Sequence, residues 1–331
     1  MKEPSKSRQP ARTAPGLSQV SIGLLFLLLV LTGYSEPQNS RQSPPRPNDQ
    51  NDNQDTIKIN VELVVLHATV QNSNLTPISG LGKEDFQVYE DGVLQEIESF
   101  SHEDIPVTVG LVVDNSGSMR PKRAEVITAA LAFARASNNK NQIFVVNFSE
   151  HVSFGLPANT PFTNKTAELE VALSKVAADG MTALYDAVAA ALDHLKEGNR
   201  DKQALIVISD GADNASRLNL AQIMALARRS DAIIYTIGIY DRDDPDRNPG
   251  SLKQLAKATG GEAFFPGSVN NIVQICERIA RDIRNQYTIT YMPTNINYDG
   301  KYRVIQVKAG APDRGRLRVR ARAGYYAPLK P

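Results

Sequence analysis

Two short stretches of this chain carry oxygen-bearing side chains at spacings that could do chemistry. In "GLVVDNSGSM" an apolar run ends in Asp114, and hydroxyls follow at alternate positions, Ser116 and Ser118. In "ALIVISDGAD" a second apolar run ends in Asp210. Between them, "DGMTALYDA" sets Thr182 just after Gly180, before a helical pattern that begins near Ala183. Every candidate donor is an oxygen, and oxygen-only sets suit hard cations: Mg²⁺ first, with Mn²⁺ or Ca²⁺ as alternatives. Two carboxylates roughly balance a divalent charge. Three neutral hydroxyls leave the ion electrophilic, with an open position for a carboxylate from outside. Residues 114, 116 and 118 can aim at a common point while Gly117 permits the bend. The plainer account is that Asp114, Ser116 and Ser118 cap a helix opening at Pro121. That account explains neither Thr182 nor Asp210.

The elements that position these residues are legible in outline. From 106 to about 285, strand-like apolar runs at 107–113, 142–148, 204–209, 232–239 and 262–265 alternate with helical patterns. Such alternation predicts βαβ units: a doubly wound, mostly parallel sheet of α/β class, covered on both faces. Residues 150–155 read as a short strand returning antiparallel at one edge. In such sheets ligands bind beyond the carboxyl ends of the strands, where the strand order reverses. Asp114, Ser116, Ser118, Thr182 and Asp210 all map to one such rim. On either side the texture is β. Residues 57–70 alternate at period two, and 85–100 hold two short runs around Asp91-Gly92, a hairpin signal. Strands are also expected at 286–293, 301–309 and 315–326. The expected organisation is a β segment at 57–104, an α/β domain at 105–285 and a second β segment at 286–331. The α/β domain is thus inserted in a small β unit, whose two segments are expected to pair.

These residues also carry a family resemblance. Asp114-x-Ser116-x-Ser118, Thr182 and Asp210 resemble the metal-ion-dependent adhesion site of von Willebrand factor type A domains, over roughly residues 105–285. The resemblance implies a Rossmann-like domain in which Ser116 and Ser118 ligate the metal directly. Thr182 would bind directly or through water, and Asp114 and Asp210 largely through waters. It further implies that a partner's acidic side chain completes the coordination, and that the last helix, about 270–285, can shift when ligand engages. With "LGKEDFQVYEDG" before the domain and "VRARAGYYAP" after it, the whole chain resembles a bacterial exported family related to this domain. That family has no assigned activity, so this closer resemblance concerns architecture.

Bulk properties bound the remaining possibilities. A formal net charge of +1 gives no global argument for a nucleic-acid partner. Basic residues Lys2, Lys6, Arg8 and Arg12 precede the apolar run at 20–33, and small residues follow, so residues 1–35 read as a secretory signal peptide. An uncleaved membrane anchor is the alternative. The polar, proline-containing stretch 36–56 reads as a flexible linker. The chain is therefore expected to be exported: periplasmic, at the cell surface or secreted. The single cysteine, Cys276, excludes an internal disulfide and shares an apolar helix face with Ile272, Ile275, Ile279, Ala280 and Ile283, which predicts burial. Asp241, Asp243, Asp244 and Asp246 lack the spacing of a calcium loop and read as a solvated turn. His67, His102, His151 and His194 show no metal-ligand spacing. Asp213 and Asn214 read as supporting or capping residues. Arg316, Arg318, Arg320 and Arg322 alternate with small or apolar residues, so one strand face is expected to be basic and solvated, with counter-charge nearby. A patch for an anionic envelope surface or acidic partner is the sharper alternative.

The leading expectation is a non-enzymatic, metal-dependent protein-binding or adhesion module. A hydrolase using Ser116 or metal-bound water is a second reading, but it needs a base, and no histidine lies near the motif. A structural envelope protein with a vestigial site is a third.

Overall fold

A computed structural model describes residues 63–240 and 247–329. The signal-like run, the linker, the start of the first expected strand and the aspartates 241, 243, 244 and 246 lie outside the described residues. In chain order the β unit opens with β1 (Val64–Gln71), β2 (Phe86–Glu90), β3 (Val93–Gln95) and β4 (Ile97–Ser101). The α/β domain follows with β5 (Val107–Asp114), α1 (Arg123–Ala136), β6 (Gln142–Phe148), β7 (Val152–Phe154), α2 (Thr166–Ser174) and α3 (Leu184–His194). It continues with β8 (Lys202–Ser209), α4 (Leu220–Arg229), β9 (Ile233–Gly238), α5 (Pro249–Thr259), β10 (Ala263–Phe264) and α6 (Ile272–Arg284). The chain then returns to β structure in β11 (Tyr287–Tyr291), β12 (Tyr302–Ala309), β13 (Arg318–Arg320) and β14 (Gly324–Tyr326).

The α/β domain is built on a sheet of order β10-β9-β8-β5-β6-β7. All pairings are parallel except that of β7, which returns antiparallel on β6. Helices cover both faces, so β5 is buried along its whole length, which is why it reads as one continuous apolar run. Gly110 sits in its middle because a β-carbon there would lie 2.5 Å from the Phe144 ring and 2.6 Å from Leu205. Local chemistry sets the helix ends. Asn219 and Gln222 form a reciprocal capping box on α4. Asn248 caps α5, Pro249 opens it, and Gly260 closes it at φ 83°.

The β unit is a sandwich of two antiparallel sheets, ordered β13-β1-β11-β4 and β14-β12-β2-β3. Segments from the two ends of the chain interleave: Val64 pairs with Tyr291, and Val88 with Val307. The inner faces share one core of Leu66, Phe86, Val88, Tyr287, Ile289 and Ile305. The Asp91-Gly92 turn has positive φ at both residues, 47° and 84°, the primed geometry that matches strand twist.

The C-terminal arginines depart from expectation. Residues 315–326 form two short strands on different sheets, β13 and β14, because the chain crosses between sheets at 321–323. Arg316 and Arg318 are exposed. Arg320 is buried, donating to Asp282 at 2.8 Å and lying 3.2 Å from Glu262. Arg322 donates to Asp231 at 2.6 Å. The expected solvated basic face is thus divided: Arg320 and Arg322 meet the expected counter-charge, from Asp282 of α6 and from the exposed Asp231 after α4. Cys276 is buried, as its helix face predicts. Among the described residues no helix is long and apolar enough to cross a membrane.

Candidate metal centre

Strand order reverses at β5, with β6 on one side and β8 on the other. The parallel register Val113↔Ile208 brings the carboxyl ends of β5 and β8 side by side. Asp114 ends one strand and Asp210 follows the other. Both are nearly inaccessible, at 3% and 2% exposure.

Asp114 is held from two directions. Its Oδ1 accepts from the Ser116 backbone N–H at 2.8 Å, which folds the turn back on itself. Its Oδ2 accepts from Ser209 Oγ at 2.6 Å. Asp210 accepts from the Ala212 N–H at 3.0 Å and from Ser118 Oγ at 2.5 Å. Ser116 Oγ lies 3.1 Å from Ser118 Oγ. Four of the five expected site residues are thereby joined by hydrogen bonds.

Thr182 arrives on the neighbouring loop. The Gly117 N–H donates to Gly180 O at 3.1 Å, joining the two loops. Thr182 is buried and fixed at both ends of its peptide unit: its N–H donates to Asn214 Oδ1 at 2.8 Å, and its carbonyl accepts from Asn214 N–H at 3.0 Å. Gly211, at φ 85°, lets the chain turn directly after Asp210, where a β-carbon would meet Asn248 O at 2.7 Å.

The helix-capping account of these residues does not match the geometry. A six-residue 3₁₀ turn, Gly117–Lys122, contains Pro121, and α1 starts only at Arg123. Ser116 precedes that turn, but its side chain makes no capping hydrogen bond. The hydroxyls turn instead toward one another and toward an acid 92 residues away.

The electrostatics of the donor set fit a cation. Asp114 is pushed up to about 6, first by burial and then by the negative charge of Asp210, against the lowering effect of its serine hydrogen bonds. Among the described residues no ion pair reaches either carboxylate. No cluster of three histidine, cysteine or acidic side chains exists among the described residues either. An oxygen set of two acids and three hydroxyls contains no such cluster and suits a hard cation that keeps some of its water.

Some supporting residues escape a reading of the sequence. Asn115 accepts from Arg123 Nη1 and donates to Asn147 Oδ1 at 3.1 Å, and Asn147 in turn donates to Ala172 O at 2.8 Å. That chain of contacts braces the Asp114 turn against β6 and α2. Ser209 was legible only as the hydroxyl before Asp210, and its role on Asp114 depends on the β5/β8 register. Asp213, by contrast, caps α3 as the sequence leads one to expect, accepting from Ser216 Oγ at 2.6 Å and from Tyr185 N–H at 3.2 Å.

Fold and site together define a doubly wound α/β protein with an acid-and-hydroxyl cluster at its topological switch point. The sequence model of the von Willebrand factor type A domain matches residues 108–278, more than half of the chain, and the chain belongs to that family. No curated protein matches it. Among solved structures it is similar to a von Willebrand factor type A protein from Catenulispora acidiphila, at 14% identity and TM-score 0.47, covering 82% of this chain and 75% of that one. It is similar also to an aerotolerance-related membrane protein from Bacteroides fragilis, at 15% identity and TM-score 0.43, covering 54% of this chain and 98% of the other. A third is the domain of the type V pili tip protein Mfa5 from Porphyromonas gingivalis, at 15% identity and TM-score 0.43, covering 54% and 95%.

Proposed function

We propose that this chain is an exported, non-enzymatic, cation-dependent protein-binding module of the cell envelope or exterior. Asp114, Ser116, Ser118, Thr182 and Asp210 would hold the divalent ion, and an acidic side chain of a partner protein would complete its coordination. The observation that carries this reading is the Ser118–Asp210 contact at 2.5 Å beside Asp114. Two buried like charges are costly unless something positive lies between them, and a cation bridged by the serine hydroxyls answers that cost. Family membership supports an interaction module, since domains of this family commonly bind a divalent metal. Export rests on the basic and apolar pattern of the N-terminal sequence.

The hydrolase reading finds less support. Ser116 Oγ meets another serine hydroxyl, which cannot serve as the base a nucleophile requires.

Peptides bearing a single Asp or Glu, and the same peptides with Asn or Gln, separate the readings. With the Mn²⁺-loaded full chain, carboxylate peptides are expected to bind, and chelator or Ser118→Ala to remove that binding. Binding that survives chelation, or that tolerates the amide, contradicts the proposal.

A further inference from the structure

A second site lies far from the switch point in the chain, where the outer face of the sandwich meets the end of α4. A cavity of about 740 Å³ opens there, within the roughly 300–1,000 Å³ range of small-molecule sites. Its apolar lining includes Leu63 just before β1, Val65 of β1, Ile105 and Ile296, of which Leu63, Val65 and Ile296 stand 49%, 45% and 70% exposed. Uncharged polar groups also line it: His67, whose Nδ1 lies 3.2 Å from Thr288 Oγ1, and Thr290. Burial, Lys202 and Arg322 together push His67 down to about 3, so its imidazole is neutral at physiological pH.

The lining also holds four arginines and two acids, Asp201 and Asp231, and the arginines are not equivalent. Arg303 is fully engaged, by Glu90 at 3.1 Å and by the carbonyls of Asn295 and Asn297. Arg322 is engaged by Asp231 and by backbone carbonyls. Arg228 and Arg229 have no carboxylate partner among the described residues. Instead Arg228 lies over the Tyr302 ring at 5.4 Å and Arg229 over the Tyr326 ring at 5.2 Å. The two tyrosines pack edge to face at 5.1 Å, so each fixes the other. A guanidinium held over an aromatic ring without a carboxylate partner keeps N–H donors for a planar or tetrahedral anion. Favourable placement at the C-terminal end of α4 accounts for two cations there. It does not account for the apolar cavity they border.

We propose that this cleft binds an anionic amphiphile, a short apolar chain ending in a carboxylate or phosphate. The chain would lie along Leu63, Val65 and Ile296, and the head group at Arg228 and Arg229. The site is independent of the cation cluster, and neither reading requires the other.

Displacement of anilinonaphthalene sulfonate from the full chain by decanoate, decyl phosphate, decanol and inorganic phosphate tests the proposal. Decanoate or decyl phosphate is expected to displace the dye, and which of them binds more tightly identifies the head group. The double variant Arg228→Gln/Arg229→Gln should weaken that binding about tenfold and leave decanol unaffected. Val65→Gln, at a half-exposed position that tolerates a polar side chain, should weaken binding of the chain-bearing anions without altering the response to inorganic phosphate. Equal affinities in wild type and both variants would overturn the proposal, because the N-terminal apolar run alone would then explain dye binding. Competition by inorganic phosphate as strong as that of decyl phosphate, or tighter binding by an acidic hexapeptide than by either amphiphile, would also overturn it.

Discussion

The proposed cation chemistry rests on a few oxygen atoms whose companions come from distant parts of the chain. Asp114, Ser116 and Ser118 announced themselves by residue type and alternate spacing, and Asp210 by its place at the end of an apolar run. Their mutual contacts were not legible, because the Ser118–Asp210 and Ser209–Asp114 hydrogen bonds exist only once β5 and β8 lie in parallel register. Nor could the sequence reveal that Asn115, Arg123 and Asn147 brace the turn, since each alone reads as an ordinary polar residue. Asp114→Asn tests the like-charge strain directly. In chelator the variant is expected to unfold at higher denaturant than wild type, a gain of about 1 kcal/mol, because it removes a buried charge facing Asp210. Loss of stability in chelator would mean that the carboxylate's hydrogen bonds outweigh the repulsion. Asn115→Ala should destabilise by about 2 kcal/mol through the freed Arg123 and Asn147 groups, as measured by urea unfolding.

At the scale of elements, period and punctuation carried most of the reading. The central strands, the β7 return, the Asp91-Gly92 hairpin and the buried face of α6 all followed from local pattern. The C-terminal arginines did not, because alternation cannot show that a strand ends after three residues or that α6 presents Asp282 to Arg320. That contact ties β13 to α6, and it is only partly satisfied: Asp282 Oδ1 and Arg320 Nε and Nη1 are buried without hydrogen-bond partners among the described residues. Arg320→Ala should therefore cost about 3 kcal/mol by stranding Asp282, whereas Arg320→Met with Asp282→Leu should fall within about 1 kcal/mol of wild type. Chemical denaturation of the two variants checks the contrast. At the same C-terminal end of α6, Lys202 donates to the carbonyl of Ile283 while burial pushes it down to about 7. Between pH 7 and the ordinary lysine value the unfolded chain holds the extra proton, so stability should rise with pH through that window. Lys202→Met should abolish that rise, and its stabilising effect should be largest near pH 6, bounded by about 5 kcal/mol. A rise that persists in the variant would assign it to another group.

At the scale of the whole molecule, the chain builds a sandwich from its two flanks and sets the α/β domain between them. The strands of each flank could be read from alternation. Nothing local dictated that β1 would pair with both β11 and β13, since those registers join residues more than two hundred positions apart. The cleft at the junction was equally hidden, being a product of how the sandwich and α4 meet. The central claim is that the switch-point cluster holds a divalent cation. Thermal unfolding of the full chain in chelator, Mg²⁺, Mn²⁺ and Ca²⁺, for wild type and Asp114→Asn, tests it most directly. A cation at 100 times its dissociation constant stabilises by about 2.7 kcal/mol. For a domain of this size that is a rise of roughly 5–10 °C. The account expects such a rise in wild type with at least one of the three ions and none in the variant. Equal midpoints for wild type in chelator and in all three ions, or an equal rise in the variant, would contradict it.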